Sequence, residues 1–132
     1  MALEPLSWFV QAEYDLESAE VMFKGGKYIY TIFMCHLSLE KALKGLYVQQ
    51  YKNPPPRVHN LVFFVEKNNL KVPADLYDLI STLNRVSVPT RYPEDLSKLI
   101  QSYDQQRTQD LLMKSKEVLS WLKKKLLKPS GS

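Results

Sequence analysis

Apolar residues recur along most of the chain at spacings of three and four, which is the period of an amphipathic α-helix. The pattern predicts a first helix that begins near Pro5 or Ser7. Its core face carries five apolar side chains, Trp8, Ala12, Leu16, Ala19 and Phe23. Gly25 and Gly26 then supply the left-handed conformations that end a helix. Because the turn is short, we expect the next helix to run antiparallel to the first.

A second helix is predicted from about Tyr28 to Tyr51, and it is apolar on more than one side. Its apolar positions are Ile29, Ile32, Phe33, Leu37, Leu39, Leu43 and Leu46. A helix of this kind is central to a fold or lies in a dimer seam. Three consecutive prolines, residues 54–56, end it because proline lacks the amide donor and disfavours helical angles in its predecessor.

Further helices are predicted over residues 59–67 and from Pro73 to about Arg85. Residues 87–94 are predicted to form a loop, since Pro89 and Pro93 bracket them, and residues 96–103 a short separate turn of helix. The closing helix is the clearest, with a stripe of Leu111, Ser115, Val118, Leu122 and Leu126.

Four long antiparallel helices and one or two short ones predict an all-α fold, an up-and-down four-helix bundle with one or two extra short helices. At 132 residues the chain is long enough for one domain with a single core. We expect this domain to span residues 1–128 and residues 129–132 to form a disordered tail.

Positive charge is concentrated near the end of the chain, although the whole sequence carries only +4. From Gln105 onward there are seven basic residues and two acidic ones. A basic helix can meet nucleic-acid phosphates or an acidic partner. It can also be a solvated face whose lysines are favoured by the negative end of the helix dipole.

Several classes of protein are disfavoured by what the sequence lacks. It has no Walker-type phosphate loop and no Gly-x-Ser-x-Gly elbow. The only cysteine, Cys35, and the two histidines show no spacing for zinc, and no Glu-x-x-His pair suggests a di-iron centre. We therefore expect no metal and no cofactor, and we interpret Cys35 as a buried hydrophobic residue. Without a secretion signal or a membrane span, a soluble cytoplasmic protein is expected.

Two polar segments carry candidate binding chemistry. Arg91 and Tyr92 lie between prolines, where a planar cation and an aromatic ring can bind a phosphate and stack a base. Alternatively, Arg91 caps a helix and Tyr92 packs on the bundle. His59, two residues after Arg57, can bind a phosphodiester or transfer a proton, or it can simply cap a helix start.

The second helix carries polar residues within its apolar sequence. Glu40 and Lys44 are four residues apart, which favours an intrahelical ion pair, and Lys41 can face a partner. His36 is interpreted as a core histidine whose hydrogen bonds are satisfied.

Three motifs resemble those of the HEPN family, small helical domains found beside nucleotidyltransferases in prokaryotes. Similar proteins carry Glu-Lys-Ala-Leu-Lys, a Pro-rich turn before a Thr-His-Asp-Leu-like motif, and Ala-Arg-Tyr-Pro. In this chain the first motif occupies residues 40–44, Val-His-Asn-Leu occupies 58–61, and Thr-Arg-Tyr-Pro occupies 90–93. The resemblance is to the branch paired with minimal nucleotidyltransferases.

The resemblance implies a bundle of four or five helices that dimerises and has a nucleotide-binding role. Our first hypothesis is a non-catalytic nucleotide- or substrate-binding subunit, a homodimer that works with a minimal nucleotidyltransferase, as half of a toxin–antitoxin module. The expected binding residues are Arg91, Tyr92, His59 and Arg57, with Lys41 and Lys44 as additions.

Two alternatives belong to other classes. Other HEPN branches are metal-independent ribonucleases that require an arginine followed four to six residues later by a histidine. No such pair occurs here, because no histidine follows Arg91 and Arg57 is only two residues before His59. A ribonuclease toxin is therefore the first alternative, with His59 as acid or base. The second alternative is an interaction domain that binds no nucleotide.

Overall fold

A computed structural model of the protein describes residues 4–86 and 93–126. Within these ranges every regular element is a helix: α1 (Pro5–Lys24), α2 (Tyr28–Tyr51), α3 (Leu61–Lys67), α4 (Ala74–Val86), α5 (Pro93–Ser102) and α6 (Gln105–Lys123). Four of them have 13 to 24 residues, and α3 and α5 have 7 and 10. The predicted all-α bundle with short extra helices is confirmed. The predicted tail at residues 129–132 lies outside the described residues.

Helix α2 is the central element of the bundle. Fourteen of its 24 residues are buried, and it contacts each of the other five helices. Cys35 lies in the first half of α2 with no exposed surface, as predicted. Burial raises the pKa of the Cys35 thiol to about 11, against weaker opposing effects of Ser115 and Lys116. The thiol is therefore an inert part of the core.

The buried face of α1 differs slightly from the predicted stripe. Ala12 and Ala19 are fully buried, but so is Phe9, which the stripe omitted. Trp8, Leu16 and Phe23 are only partly buried. The prediction followed one row of residues, whereas a helix buries a face more than 100° wide.

Two predicted helix boundaries and the predicted conformation of one glycine are wrong in detail. Helix α3 begins two residues later than predicted because the Asn60 side chain caps it, accepting a hydrogen bond of 3.0 Å from the Phe63 N–H. The loop predicted over 87–94 ends early, since Pro93 starts α5, a position at which its fixed φ suits a helix. Residues 87–92 lie outside the described residues. Of the glycine pair, Gly26 is left-handed with φ of 76°, whereas Gly25 has φ of −84°. One left-handed residue is enough to reverse the chain.

The basic helix α6 is largely neutralised by other helices. Its Leu111, Ser115, Val118 and Leu122 are buried as predicted, whereas Leu126 lies beyond its end and is partly buried. Its lysines pair with acids on other helices: Lys116 with Glu20, Lys123 with Glu13 at 2.9 Å, and Lys114 with Asp75 at 3.4 Å. These ion pairs therefore connect α6 to α1 and α4. They neutralise part of the positive charge of α6.

The crossing of α1 and α2 depends on the absence of a side chain at Gly45. A Cβ atom there would lie 2.9 Å from Trp8 Cβ and 3.1 Å from the Pro5 carbonyl oxygen. We expect Gly45→Ala to lower the free energy of unfolding by about 1–2 kcal/mol, because overpacking outweighs the gain of about 1 kcal/mol in helix propensity. Urea titration followed by circular dichroism measures this change.

Gly25→Ala is the matched control, because a Cβ at Gly25 would come no nearer than 3.5 Å to another atom. Its unfolding curve should stay close to that of the wild type. A Gly45→Ala protein as stable as the Gly25→Ala protein would contradict the close helix crossing.

Candidate functional site

The turn between α2 and α3 is held to the bundle at several points. Helix α2 ends at Tyr51, and Lys52 adopts a left-handed conformation with φ of 58° before the three prolines. The Tyr51 hydroxyl donates a hydrogen bond of 2.6 Å to the Lys67 carbonyl at the end of α3. Val58 packs against the core, whereas Arg57 and His59 on either side of it are exposed. Both predicted binding side chains on this turn thus leave the same short, anchored segment.

A buried carboxylate on α2 supports this segment. Glu40 is only 5% exposed, and its Oε2 lies 2.9 Å from Lys44 Nζ. His59 Nδ1 lies 3.1 Å from Oε1 and 3.0 Å from Oε2 of the same carboxylate. His36 Nδ1 lies 3.7 Å from Oε1. We call these four residues, His36, Glu40, Lys44 and His59, the Glu40 cluster.

The electrostatics of the Glu40 cluster follow from burial. A buried carboxylate is costly unless it is paired and hydrogen-bonded, and here Lys44 and His59 both donate to it. His36, Glu40 and Lys44 lie one turn apart on the same face of α2, which brings their side chains together. The predicted ion pair of Glu40 and Lys44 is confirmed.

His36 departs from the prediction of a satisfied core histidine. Its Nε2 is buried and has no hydrogen-bond partner among the described residues. Burial lowers the pKa of His36, and the nearby Glu40 carboxylate opposes this effect only in part. The fold therefore favours a neutral imidazole at this position.

The six predicted binding residues fall into three groups. Arg57 and His59 are exposed next to one another on the turn, with 78% of the His59 side chain accessible. Lys44 is buried in the Glu40 cluster, and Lys41 forms an ion pair of 2.8 Å with Asp15 of α1. Arg91 and Tyr92 lie outside the described residues. The structure therefore brings Arg57, His59 and Lys44 into one region. The charge of Lys41 is instead paired with an acid on α1.

The end of α4 lies against the start of α3. The Leu61 N–H donates a hydrogen bond of 2.7 Å to Asn84 Oδ1, and Asn84 is in the last turn of α4. The last turn of α4 therefore lies against the start of α3, two residues along the chain from His59. The segment that connects α4 to α5, residues 87–92, contains the Arg and Tyr of the third motif.

Sequence reasoning missed the part played by Glu40. It identified the partner four residues along the helix but not His59, which is nineteen residues away. The available signal was polar residues at intervals of four, His36, Glu40 and Lys44, in the most apolar helix of the chain. A polar row within a buried helix needs partners from elsewhere in the fold.

The three best-formed cavities among the described residues lie away from this site. A cavity of about 310 Å³ lies between α5 and the start of α2, and others of about 280 and 490 Å³ border α4 and α6. None of the three is lined by a residue of the Glu40 cluster. Arg57 can hold an anionic group that approaches from solvent, since arginine binds phosphate through two parallel hydrogen bonds, and the exposed His59 ring beside it can form a further hydrogen bond.

Two further properties concern the described residues alone. They contain no group of three His, Cys, Asp or Glu side chains arranged to hold a metal ion. No helix described here combines the length and apolar character needed to cross a membrane.

Comparison with known proteins places this fold and its motifs in a family. The model of the HEPN domain matches residues 6–126 of the chain. The protein therefore belongs to the HEPN domain family. No curated protein sequence gives a significant match.

Two solved structures have a similar fold. TT1696 from Thermus thermophilus is 23% identical, with a TM-score of 0.78, and the match covers 92% of this chain and 98% of that one. ST0689, described as an archaeal HEPN homologue, is 26% identical, with a TM-score of 0.70 and coverage of 92% and 96%. The bundle is thus shared over nearly the whole length of each chain.

The lowered pKa of His36 predicts an acid-dependent loss of stability. Unfolded histidine titrates near 6.5, so below that pH the unfolded chain binds a proton that the folded chain resists. This contribution to stability is complete above about pH 6.5 and is lost as the pH falls, by at most about 1.4 kcal/mol per pH unit.

Urea unfolding of the wild type and His36→Gln between about pH 8 and pH 5 isolates this effect, because the variant lacks the titrating ring. We expect the wild type to lose more stability on acidification than the variant does. Parallel losses in the two proteins would show that His36 is not the group responsible.

Proposed function

We propose that the protein is a non-catalytic nucleotide- or substrate-binding subunit of a nucleotidyltransferase partner, as half of a toxin–antitoxin module. The single observation that carries the proposal is the exposed His59 ring, held on the buried Glu40 carboxylate beside the exposed Arg57. A ring fixed in this way is ready to bind, since little conformational entropy is lost when a ligand arrives.

The proposed ligand is a nucleotide bound through its phosphates. Arg57 and Arg91 supply guanidinium groups for phosphate oxygens, and Tyr92 supplies a ring on which a base can stack. In this proposal Lys44 acts through Glu40, and Lys41, which is paired with Asp15, does not contact the ligand. Asn84 of α4 contacts Leu61, the last residue of the Val-His-Asn-Leu motif. Residues 87–92, which carry Arg91 and Tyr92 of the Thr-Arg-Tyr-Pro motif, begin two residues after Arg85 in the sequence. This closeness along the chain supports a common site for the two motifs.

A nucleotidyltransferase partner is supported by the motifs that this chain shares with the paired branch of the family. The same motifs support the toxin–antitoxin role. Absence of an arginine and histidine at the nuclease spacing supports a binding subunit over a ribonuclease toxin.

Binding of a nucleotide triphosphate tests the proposed site. Isothermal titration with ATP and GTP should show binding to the wild type and a loss of affinity of about tenfold in His59→Ala and about tenfold or more in Arg91→Ala, because each variant loses a hydrogen bond to the ligand and that of Arg91 is charge-assisted. Arg107→Ala is the matched control, since Arg107 lies on α6 and stacks on Tyr103. Its affinity should equal that of the wild type.

Unchanged affinity in both His59→Ala and Arg91→Ala would exclude these residues as the site. The same preparations should leave a mixed RNA pool intact in the presence of a chelator. Chelator-resistant cleavage that disappears in His59→Ala would instead favour the ribonuclease alternative, for which the imidazole held on Glu40 has the geometry of a general base.

We also propose that two copies pair through the outward face of α1. Four large apolar side chains lie there, opposite the core, and are 58 to 70% exposed: Leu6, Val10, Tyr14 and Val21. A strip of large exposed apolar side chains is typical of the apolar core of an interface between copies. Glu13 and Glu20, which flank this face, are paired with α6, and the exposed Glu17 lies within the face.

Light scattering after size exclusion tests this pairing. The wild type should run as a dimer and Tyr14→Glu as a monomer, because two-fold pairing would bury the introduced charge twice. Met113→Glu is the control, since Met113 is similarly exposed but lies on α6. A monomeric wild type, or equal masses for all three proteins, would contradict pairing through α1.

A further inference from the structure

The His59 ring is held by one nitrogen and exposed at the other. Nδ1 faces both oxygens of Glu40 at 3.0 and 3.1 Å, and 78% of the side chain is accessible. Nδ1 and Nε2 lie on opposite sides of an imidazole, so Nε2 points away from the buried carboxylate. The structure thus decides which nitrogen can meet a ligand.

The Glu40 cluster also decides where the proton on a neutral His59 lies. Lys44 Nζ, 2.9 Å from Oε2, can only donate a hydrogen bond, and an ionised carboxylate can only accept one. Nδ1 must therefore be the donor to Glu40. A neutral imidazole with its proton on Nδ1 carries a lone pair on Nε2, which is then a hydrogen-bond acceptor.

We infer that Glu40 is a positioning residue that fixes the Nδ1–H tautomer of His59, so that Nε2 accepts a hydrogen bond from a ribose hydroxyl of the bound nucleotide. The choice of ligand rests on the proposed function. Nε2 as an acceptor repels phosphate oxygens, which carry no proton, and so leaves the phosphate to Arg57 on the same segment. The substrate class is then a ribonucleotide.

Arg57 and His59 have a spacing that suits this division. Val58 between them packs against the core, and its N–H donates a hydrogen bond of 2.9 Å to the Pro56 carbonyl, which makes a tight turn centred on Arg57. Arg57 and His59 are both exposed on this short segment. One side chain can therefore hold a phosphate while the other contacts the sugar of the same nucleotide.

A merely structural role for Glu40 would be to anchor the turn on α2, with no effect on the ligand. Glu40→Met/Lys44→Met separates the two roles, because replacing a buried ion pair by apolar side chains of similar size is often tolerated. It removes the acceptor for Nδ1 without leaving a buried charge from the pair. Glu66→Gln, a change to an exposed acid on α3, is the control.

Nitrogen-15 spectra of the imidazole rings give the first readout, with His59 assigned by comparison with His59→Ala. At about pH 8.5, above the usual range of histidine titration, the wild type and Glu66→Gln should show His59 protonated on Nδ1. The double Met variant should show the Nε2–H form that an unheld histidine prefers. A wild type that shows the Nε2–H form, or a double variant with the wild-type spectrum, would overturn the positioning role.

Ligand discrimination gives the second readout. The wild type and Glu66→Gln should bind ATP about five- to tenfold more tightly than 2′,3′-dideoxy-ATP, which lacks the hydroxyl donors. His59→Ala and the double Met variant should lose this preference, and circular dichroism shows whether each is folded. Equal wild-type affinity for the two nucleotides would overturn the ribose contact and leave the proposed function standing. No binding of either would overturn the proposed function and the ribose contact together, whereas the nitrogen spectra would still decide the role of Glu40.

Discussion

The pairing of one buried carboxylate holds the turn between α2 and α3 against the bundle. Glu40 lies at the middle of the helix that contacts all the others, where water cannot solvate its charge. Its two oxygens must therefore be paired by groups of the protein. Lys44 provides one partner from the same helix, and His59 provides another from the turn that follows. The requirement to pair Glu40 thus couples the interior of α2 to an exposed segment that is rich in proline.

This coupling explains why an exposed histidine can have a defined orientation. The prolines restrict the backbone of the turn, the Tyr51 hydroxyl joins the ends of α2 and α3, and Asn60 caps α3. Each of these contacts reduces the freedom of the segment that carries Arg57 and His59. An exposed site can then be preorganised, because its supporting contacts lie beneath it in the core.

The sequence predicted the fold well because its signals are local. Periodic apolar residues, the Gly-Gly pair and the three prolines act within a few residues, and they located α2 at its observed ends. The site was predicted less completely because it depends on a contact across nineteen residues. His59 and Arg57 were identified from residue type, but nothing local showed that Glu40 lies beneath His59 or that Lys41 pairs with Asp15. Cap geometry at Asn60 and the single left-handed glycine also depended on details that periodicity does not contain.

The packing of the first and last helices has a consequence for how this domain can be joined to another protein. The start of α1 lies against Gly45, and the Lys125 carbonyl, just beyond α6, accepts a hydrogen bond from Gln49 near the end of α2. Both ends of the described bundle therefore lie near the end of α2 that leads into the turn with His59. A polypeptide tethered to either end would start beside this turn, and a short tether would give it a high effective concentration there. Fusion at either end of the described bundle, or insertion of the whole bundle into a surface loop of an enzyme, would place the turn with His59 next to that enzyme.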